Sequence, residues 1–297
     1  MSVSQAERTA TDSTGRAPKR RTQPVLPRAA FYTVGSLIAL MFMAPLLWVV
    51  LNSFKSPAEL AATPPTYIPE ELSADNYIQL VAAGLWQYVF NSSVVAAASV
   101  AAVVVISVLA GYGFARFKFV VKSILFLLVL STMMIPFQSI VTPLYIILKT
   151  FGLTDSLLGL ILIYTTFHLP FAIFMMTNSF AAVPAALEEA AVLDGCGSVQ
   201  VLRRVMIPLA RPGIVTVALY AFFSSWNEFF AALIFTTSQD RYTLPVMLTN
   251  VQSGYYGTLN FGILEAGVVL TMLPCIVIFL ILQRYYLTGL VAGATKG

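Results

Sequence analysis

The chain has 297 residues, of which 58% are hydrophobic and 10% charged, and its mean hydropathy is +0.83. Soluble domains carry roughly 25% charged residues, so an ordinary globular protein is excluded. Two cysteines, Cys196 and Cys275, cannot make a disulfide framework, and one histidine, His168, cannot supply a metal cluster. The composition is that of a polytopic membrane protein.

Residues 1–29 are polar, rich in Ser, Thr and Arg, and broken by Pro18, Pro24 and Pro27. Such a stretch buries too little apolar surface to order itself and reads as a tail. Arg20-Arg21 before an apolar run faintly resembles a twin-arginine export signal. The run is long and lacks a small-residue cleavage site, which favours an uncleaved first span. Six apolar stretches follow within residues 30–288: Phe31–Phe54, Val94–Phe114, Ser123–Ile147, Leu157–Phe180, Gly213–Thr236 and Ile263–Tyr286. Each can cross ~30 Å of hydrocarbon at about 1.5 Å per residue. No alternating strand pattern is present, so backbone satisfaction predicts an all-α bundle of six transmembrane helices. Pro136, Pro143, Pro170 and Pro274 lie within these runs and predict kinks.

Basic residues are distributed unevenly between the two sides. Arg8, Arg16, Lys19, Arg20, Arg21, Arg28, Arg116, Lys118, Lys122, Arg203, Arg204, Arg211, Arg284 and Lys296 fall on one side, leaving Lys55, Lys149 and Arg241 on the other. The positive-inside rule therefore predicts that both termini are cytoplasmic. Basic residues that mark a topology form no continuous groove, so nucleic acid is not an expected partner. The outer segments 55–91 and 238–262 are long and carry Tyr242, Tyr255 and Tyr256. They suit either an extracytoplasmic partner or anchoring at the membrane interface.

The inner loop 181–211 carries the strongest pattern, AAVPAALEEAAVLDGCGSVQVLRRVMIPLAR. Pro184 suits a helix start, and Gly195 and Gly197 can end that helix at positive φ. Ser198 can cap a second helix, which Pro208 and Pro212 limit. Glu189-Ala190-Ala191 precedes Asp194-Gly195, nine residues, and then Val205-Met206-Ile207-Pro208. This resembles the EAA loop of ABC importer permeases, with Val205 and Ile207 as conservative departures. Together with Met134–Gln138, Trp226–Phe229 and the end Gly289–Gly297, the chain from Phe31 onward looks like the second permease of the maltose-system family, a type I ABC importer fold.

The resemblance implies a transport subunit in a bacterial or archaeal inner membrane. Its implied partners are a second homologous permease, a cytoplasmic ATPase dimer that holds ATP and Mg, an extracytoplasmic sugar-binding protein and membrane lipid. In the family the EAA helices dock into a cleft of the ATPase. On this chain the docking residues would be Glu189 for a charge-assisted contact, Ala190 and Ala191 for close approach, Gly195 for the turn and Pro208 for the exit. Asp194 is a further coupling candidate, with local capping equally open. The tail 289–297 would reach the ATPase interface through Gly293 and Lys296.

The chain has no G-x-x-x-x-G-K-[ST] segment and no paired catalytic groups, so it is not expected to be an enzyme or to bind a cofactor or metal itself. Gln138, Trp226, Asn227 and Glu228 are candidates for the substrate path or for gating, with helix-to-helix packing as the competing role. His168 reads as a satisfied structural histidine, and Glu265 as solvated near the outer end of the last span. A stand-alone ion-coupled carrier is the main alternative, but it would be expected to show internal repeats and more buried ionisable groups.

Overall fold

A computed structural model describes residues 28–252 and 261–294. Among the described residues there is no strand. The first helix, α1 (Arg28–Ser53), contains Pro45 and is followed by α2 (Pro57–Leu60), α3 (Asp75–Ala82), α4 (Leu85–Arg116) and α5 (Lys122–Ser131). Next come α6 (Phe137–Thr150), α7 (Leu157–Ala181), α8 (Ala185–Leu193), α9 (Ser198–Val201) and α10 (Ile207–Leu209). The chain closes with α11 (Arg211–Trp226), α12 (Phe230–Phe235), α13 (Leu244–Gln252) and α14 (Phe261–Ala294). It divides into two compact units, residues 1–47 and residues 48–297.

Four helices, α1, α4, α7 and α14, are each long and apolar enough to cross a membrane. Two bent pairs raise the number to six if each counts as one span. In the third expected span, α5 ends in a 3-10 turn at Thr132–Met134, and α6 leaves at 102°. Pro136 causes this break: it has no N–H to donate and holds Ile135 extended, at φ −83° and ψ 114°. Pro143, Pro170 and Pro274, by contrast, lie inside continuous helices. Of the four prolines expected to kink their helices, Pro136 stands at an outright break. The fifth expected span is also interrupted, at Asn227–Phe229, where no proline stands.

The second unit is built around α4, about 48 Å long at 1.5 Å per residue. It packs along α7 and α11. One end of the core gathers Val103, Tyr112, Met176, Phe180, Met206 and Val217 from α4, α7, the α9–α10 segment and α11. A second cluster joins Leu80, Tyr88, Trp226, Met247 and Ala266, and a third joins Val95, Leu160, Tyr164, Phe235 and Val246. The helices approach closely where side chains are absent. A Cβ on Gly111 would lie 2.6 Å from the Met176 Cβ and 2.9 Å from the Met176 carbonyl carbon.

The segment expected to be a long outer loop contains α2 and α3 and is pinned by buried polar groups. Asn76 is fully buried and donates to the carbonyls of Ser53 (2.9 Å) and Lys55 (2.8 Å). Lys55 is 2% exposed, donates to the Thr66 carbonyl at 2.5 Å and lies 5.0 Å over the Trp48 ring. Glu265 is not simply solvated. It is half-buried and accepts from Asn52 Nδ2 at 3.2 Å, because α14 brings it against the end of α1.

The loop between α6 and α7 is clamped to the strip after α12. Asp155, at φ +54°, donates its N–H to the Phe235 carbonyl at 2.9 Å. Its carboxylate accepts the N–H groups of Thr237 and Ser238, both at 2.9 Å, and the Ser238 hydroxyl. Burial pushes the Asp155 carboxyl up, but the Ser238 and Thr237 bonds and the Arg241 charge outweigh it and hold the pKa below its usual value. On the far side of the strip, Asn91 donates to the Asp240 and Tyr242 carbonyls, both at 2.8 Å, and Ser92 Oγ accepts the Leu244 N–H.

Two outcomes follow from this packing. Gly111→Val should destabilise the chain by about 1–3 kcal/mol through overpacking of α4 on α7. Gly113→Ala, which would meet nothing within 4 Å, should be neutral or slightly stabilising. Thermal melts of the detergent-solubilised variants check this ordering. The Asp155 clamp depends on pH in one direction, because the folded carboxyl titrates below its unfolded value of 3.8. Its contribution is complete above that value and is lost as pH falls through the lowered folded value. Hydrogen exchange should show protected Thr237 and Ser238 amides at neutral pH that open in acid, whereas Asp155→Ala should open them at both pH values.

Candidate functional site

The loop of residues 181–211 folds as two short helices with a turn between them. Pro184 precedes α8, and Gly195 sits at φ +85° just past its end. The N–H of Cys196 donates to the Ala191 carbonyl (3.0 Å) and that of Gly195 to the Val192 carbonyl (3.0 Å). This is a Schellman closure with glycine in the left-handed position, as the spacing predicts. Two local expectations need correction. Gly197 has an ordinary φ of −75° and serves as the N-cap of α9, with Gln200 Oε1 accepting its N–H at 3.1 Å. Ser198 is therefore the first helical residue, and one left-handed glycine completes the turn.

Beyond α9 the chain widens into a π turn at Leu202–Met206 before α10. Pro208 lacks an N–H, and its ring would crowd the carbonyl four residues back in an α-helical turn. A wider turn relieves that conflict. Residues Ser198–Leu209 then meet α11 at 78°.

The motif residues divide between two faces. Glu189, Ala190, Asp194, Gly195 and Pro208 are exposed. Ala191, Val205 and Ile207 are partly buried against the core shared by α4, α7 and α11. The neighbouring acid, Glu188, is the one that is held. It lies 2.9 Å from Arg116 Nε and accepts the Tyr112 hydroxyl at 2.8 Å, while Arg116 Nη2 donates to the Val183 carbonyl at 2.6 Å. Sequence reasoning singled out Glu189 and missed Glu188. The available signal was the Tyr-x-x-x-Arg spacing at the end of α4, which puts both side chains on one helix face.

Among the path candidates the structure separates three roles. Trp226 is 3% exposed, stacks on Phe222 at 5.7 Å and donates Nε1–H to the Thr271 carbonyl at 3.1 Å. Asn227 donates to the Phe223 carbonyl at 2.9 Å and stands 4.0 Å from Cys275 Sγ. Both fasten the end of α11, and Trp226 ties it to α14. Glu228 caps the next segment. Its oxygens accept the N–H groups of Ala231 (2.9 Å) and Ala232 (3.2 Å) and the Tyr164 hydroxyl (2.7 Å). The span can break here without proline because side chains satisfy the freed backbone groups.

Gln138, at the start of α6, is exposed and lines a cavity of about 270 Å³ together with Phe137, Tyr164, Phe167, His168 and Glu228. The His168 ring stands edge-on to Tyr220 at 5.5 Å, and its Nδ1 has no hydrogen-bond partner among the described residues. The expectation of a satisfied histidine is therefore not met at that atom. Gly293 falls in the last turns of α14, and Lys296 lies outside the described residues.

Residues 103–288 match the family described as binding-protein-dependent transport system inner membrane component. The sulfoquinovosyl glycerol transport system permease SmoH of Agrobacterium fabrum is 32% identical over 267 residues, covering 90% of this chain and 93% of that protein. The trehalose transport system permease SugB of Mycobacterium tuberculosis is 35% identical over 272 residues, covering 91% and 98%. A solved bacterial ABC transporter that imports the acidic polysaccharide alginate has a chain of the same fold. Its TM-score is 0.75 at 22% identity, covering 89% of this chain and all of that one. The chain belongs to the binding-protein-dependent transport inner membrane family and is a permease subunit of an ABC importer.

The capping role of Glu228 predicts graded losses. Glu228→Ala should lower the melting temperature more than Tyr164→Phe, since the first removes three hydrogen bonds and the second one. At about 0.5–1.5 kcal/mol for an ordinary bond, and more for a charged acceptor, the two should differ by at least 1 kcal/mol. Equal melting temperatures would show that Glu228 does not hold the break.

Proposed function

We propose that this permease carries a carbohydrate and forms half of the translocation path, with a second homologous permease supplying the other half. The curated relatives named above are transport permeases for a sulfoquinovosyl glycerol and for trehalose, and a further one, AraQ of Halalkalibacterium halodurans, serves arabinooligosaccharides. An extracytoplasmic binding protein would deliver the sugar. ATP and Mg belong to a cytoplasmic ATPase dimer, and this chain supplies no hydrolytic site of its own. Both termini lie in the cytoplasm, on the side that holds most of the basic residues. Residues 289–297 would reach the ATPase interface through Gly293 and Lys296.

The observation that carries the coupling role is the outer face of α8. It presents Glu189, Ala190 and Asp194 beside exposed apolar side chains, with Leu193 88% exposed, while the inner face is fixed to the core. A helix held on one side and bare on the other offers an apolar anchor and an acid to a cleft with basic groups.

Glu189→Ala should leave insertion intact and weaken association with the ATPase about tenfold or more, corresponding to a charge-assisted bond of ~1.5–3 kcal/mol. Gly195→Val should do the same by forcing a β-branched residue towards positive φ. Co-purification of the tagged chain with its ATPase reads both outcomes, and wild-type association of both variants would refute docking through α8.

A further inference from the structure

We infer that Tyr112, Arg116 and Glu188 form a positioning contact that makes α8 and α4 move as one body, so that α4 carries displacement of the docking helix to the opposite rim. The inference rests on the reading of α8 as the helix that meets the ATPase. Covalently, α8 follows α7 and leads through α9 and α10 to α11; α4 is joined to it only through space. That join is short and built from three elements. Arg116 Nε lies 2.9 Å from Glu188 Oε2, Tyr112 donates to Glu188 Oε1 at 2.8 Å, and Arg116 Nη2 donates to the Val183 carbonyl at 2.6 Å.

The contact is sheltered. Tyr112 is 5% exposed and packs edge-on to Phe117 at 5.5 Å and Phe180 at 5.8 Å. The Arg116 and Glu188 side chains are 13% and 20% exposed. A charged pair with this little water access is far less screened than a surface ion pair, and it combines with a charge-assisted hydroxyl bond. Four residues earlier than Arg116, Tyr112 lies on the same face of α4, so the helix meets Glu188 with two groups one turn apart.

At its other end α4 is equally committed. Asn91 holds the carbonyls of Asp240 and Tyr242, Ser92 accepts the Leu244 N–H, and the Tyr88 hydroxyl accepts from Gln239 Nε2 at 3.0 Å. The 25 residue-to-residue rises from Asn91 to Arg116 span about 38 Å of unbroken helix. The same helix therefore grips the docking loop at one end and the 239–244 strip at the other. The docking loop and this strip are joined by a single rod, while α5–α6 and α11–α12 are both broken.

Spin labels on cysteines placed at the exposed Val192 of α8 and Ser93 of α4 test the inference in the assembled importer, with Cys196 and Cys275 replaced by Ser. In the otherwise wild-type complex, Mg-ATP should leave the distance between the labels unchanged. In Glu188→Gln and Tyr112→Phe complexes that retain the ATPase, Mg-ATP should shift it by about 2 Å or more, the scale of helix displacements in switching proteins. The charge swap Arg116→Glu with Glu188→Arg should reduce that shift. A purely structural tether would alter the amount of folded chain but not the response to nucleotide.

The inference is overturned if Mg-ATP changes the wild-type distance as much as that of the variants. It is also overturned if the variants hold the distance as constant as the wild type. If the ATPase does not co-purify with the wild-type chain, the docking reading falls, and this inference falls with it. If it does co-purify, any contrary distance result removes the rod alone.

Discussion

Hydrocarbon offers no hydrogen bonds, so each backbone group freed by a break in a spanning helix must find a partner inside the protein. The arrangement of this chain follows from that constraint. At Asn227–Phe229 the ladder stops and Glu228 takes the first free amides of α12, while Asn227 turns back to the Phe223 carbonyl. At Ile135–Pro136 proline removes the donor that would otherwise be stranded. The Tyr164 hydroxyl then satisfies Glu228 from α7, so the capping carboxylate is itself held. An ionisable residue inside a span reads first as a transport group, and here Glu228 also caps the backbone while lining the cavity.

The same economy separates the two acids of the α8 loop. Adjacent residues on a helix point about 100° apart, so Glu188 and Glu189 cannot face the same surroundings. Glu188 faces the end of α4 and finds a guanidinium and a phenol, while Glu189 faces outward. One acid fixes the loop to its own subunit, and the other leaves it with an unspent charge. The alanines divide in the same way, with Ala191 packed inward and Ala190 outward. Glu188 and Ala191 therefore face inward and Glu189 and Ala190 outward, on opposite faces of one turn of helix.

Much of this was readable from the chain. Hydropathy located the spans, and the left-handed requirement behind Gly195 is written in its spacing from Glu189 and in the helix formers before it. The break at Asn227 was not readable, because the residues that permit it look like ordinary polar insertions until Tyr164 and the α12 amides stand next to them. The role of Glu188 was readable only in part, because the Tyr112 and Arg116 face that holds it lies more than 70 residues upstream. A proline in the sequence does not by itself say whether its helix breaks. Pro143, Pro170 and Pro274 sit in continuous helices. Local rules predict what a residue does to its own backbone, but not which distant group will answer it.

The distribution of breaks also decides where motion is cheap. α4 and α7 press together so closely at Gly111 that no Cβ fits between them, and both run unbroken from end to end. If α8 docks on the ATPase as proposed, a push on it would be poorly absorbed along such a pair, because bending it would forfeit ladder bonds. At Thr132–Pro136 and Asn227–Phe229 the ladder is already open, and at the second break the Glu228 side chain holds the start of α12. Side-chain caps can rotate with the segments they hold and keep most of their bonds, as hinge positions at element ends do. The unbroken helices therefore set direction and reach, and the broken ones, which border the cavity lined by Gln138 and Glu228, are where a change in shape costs least.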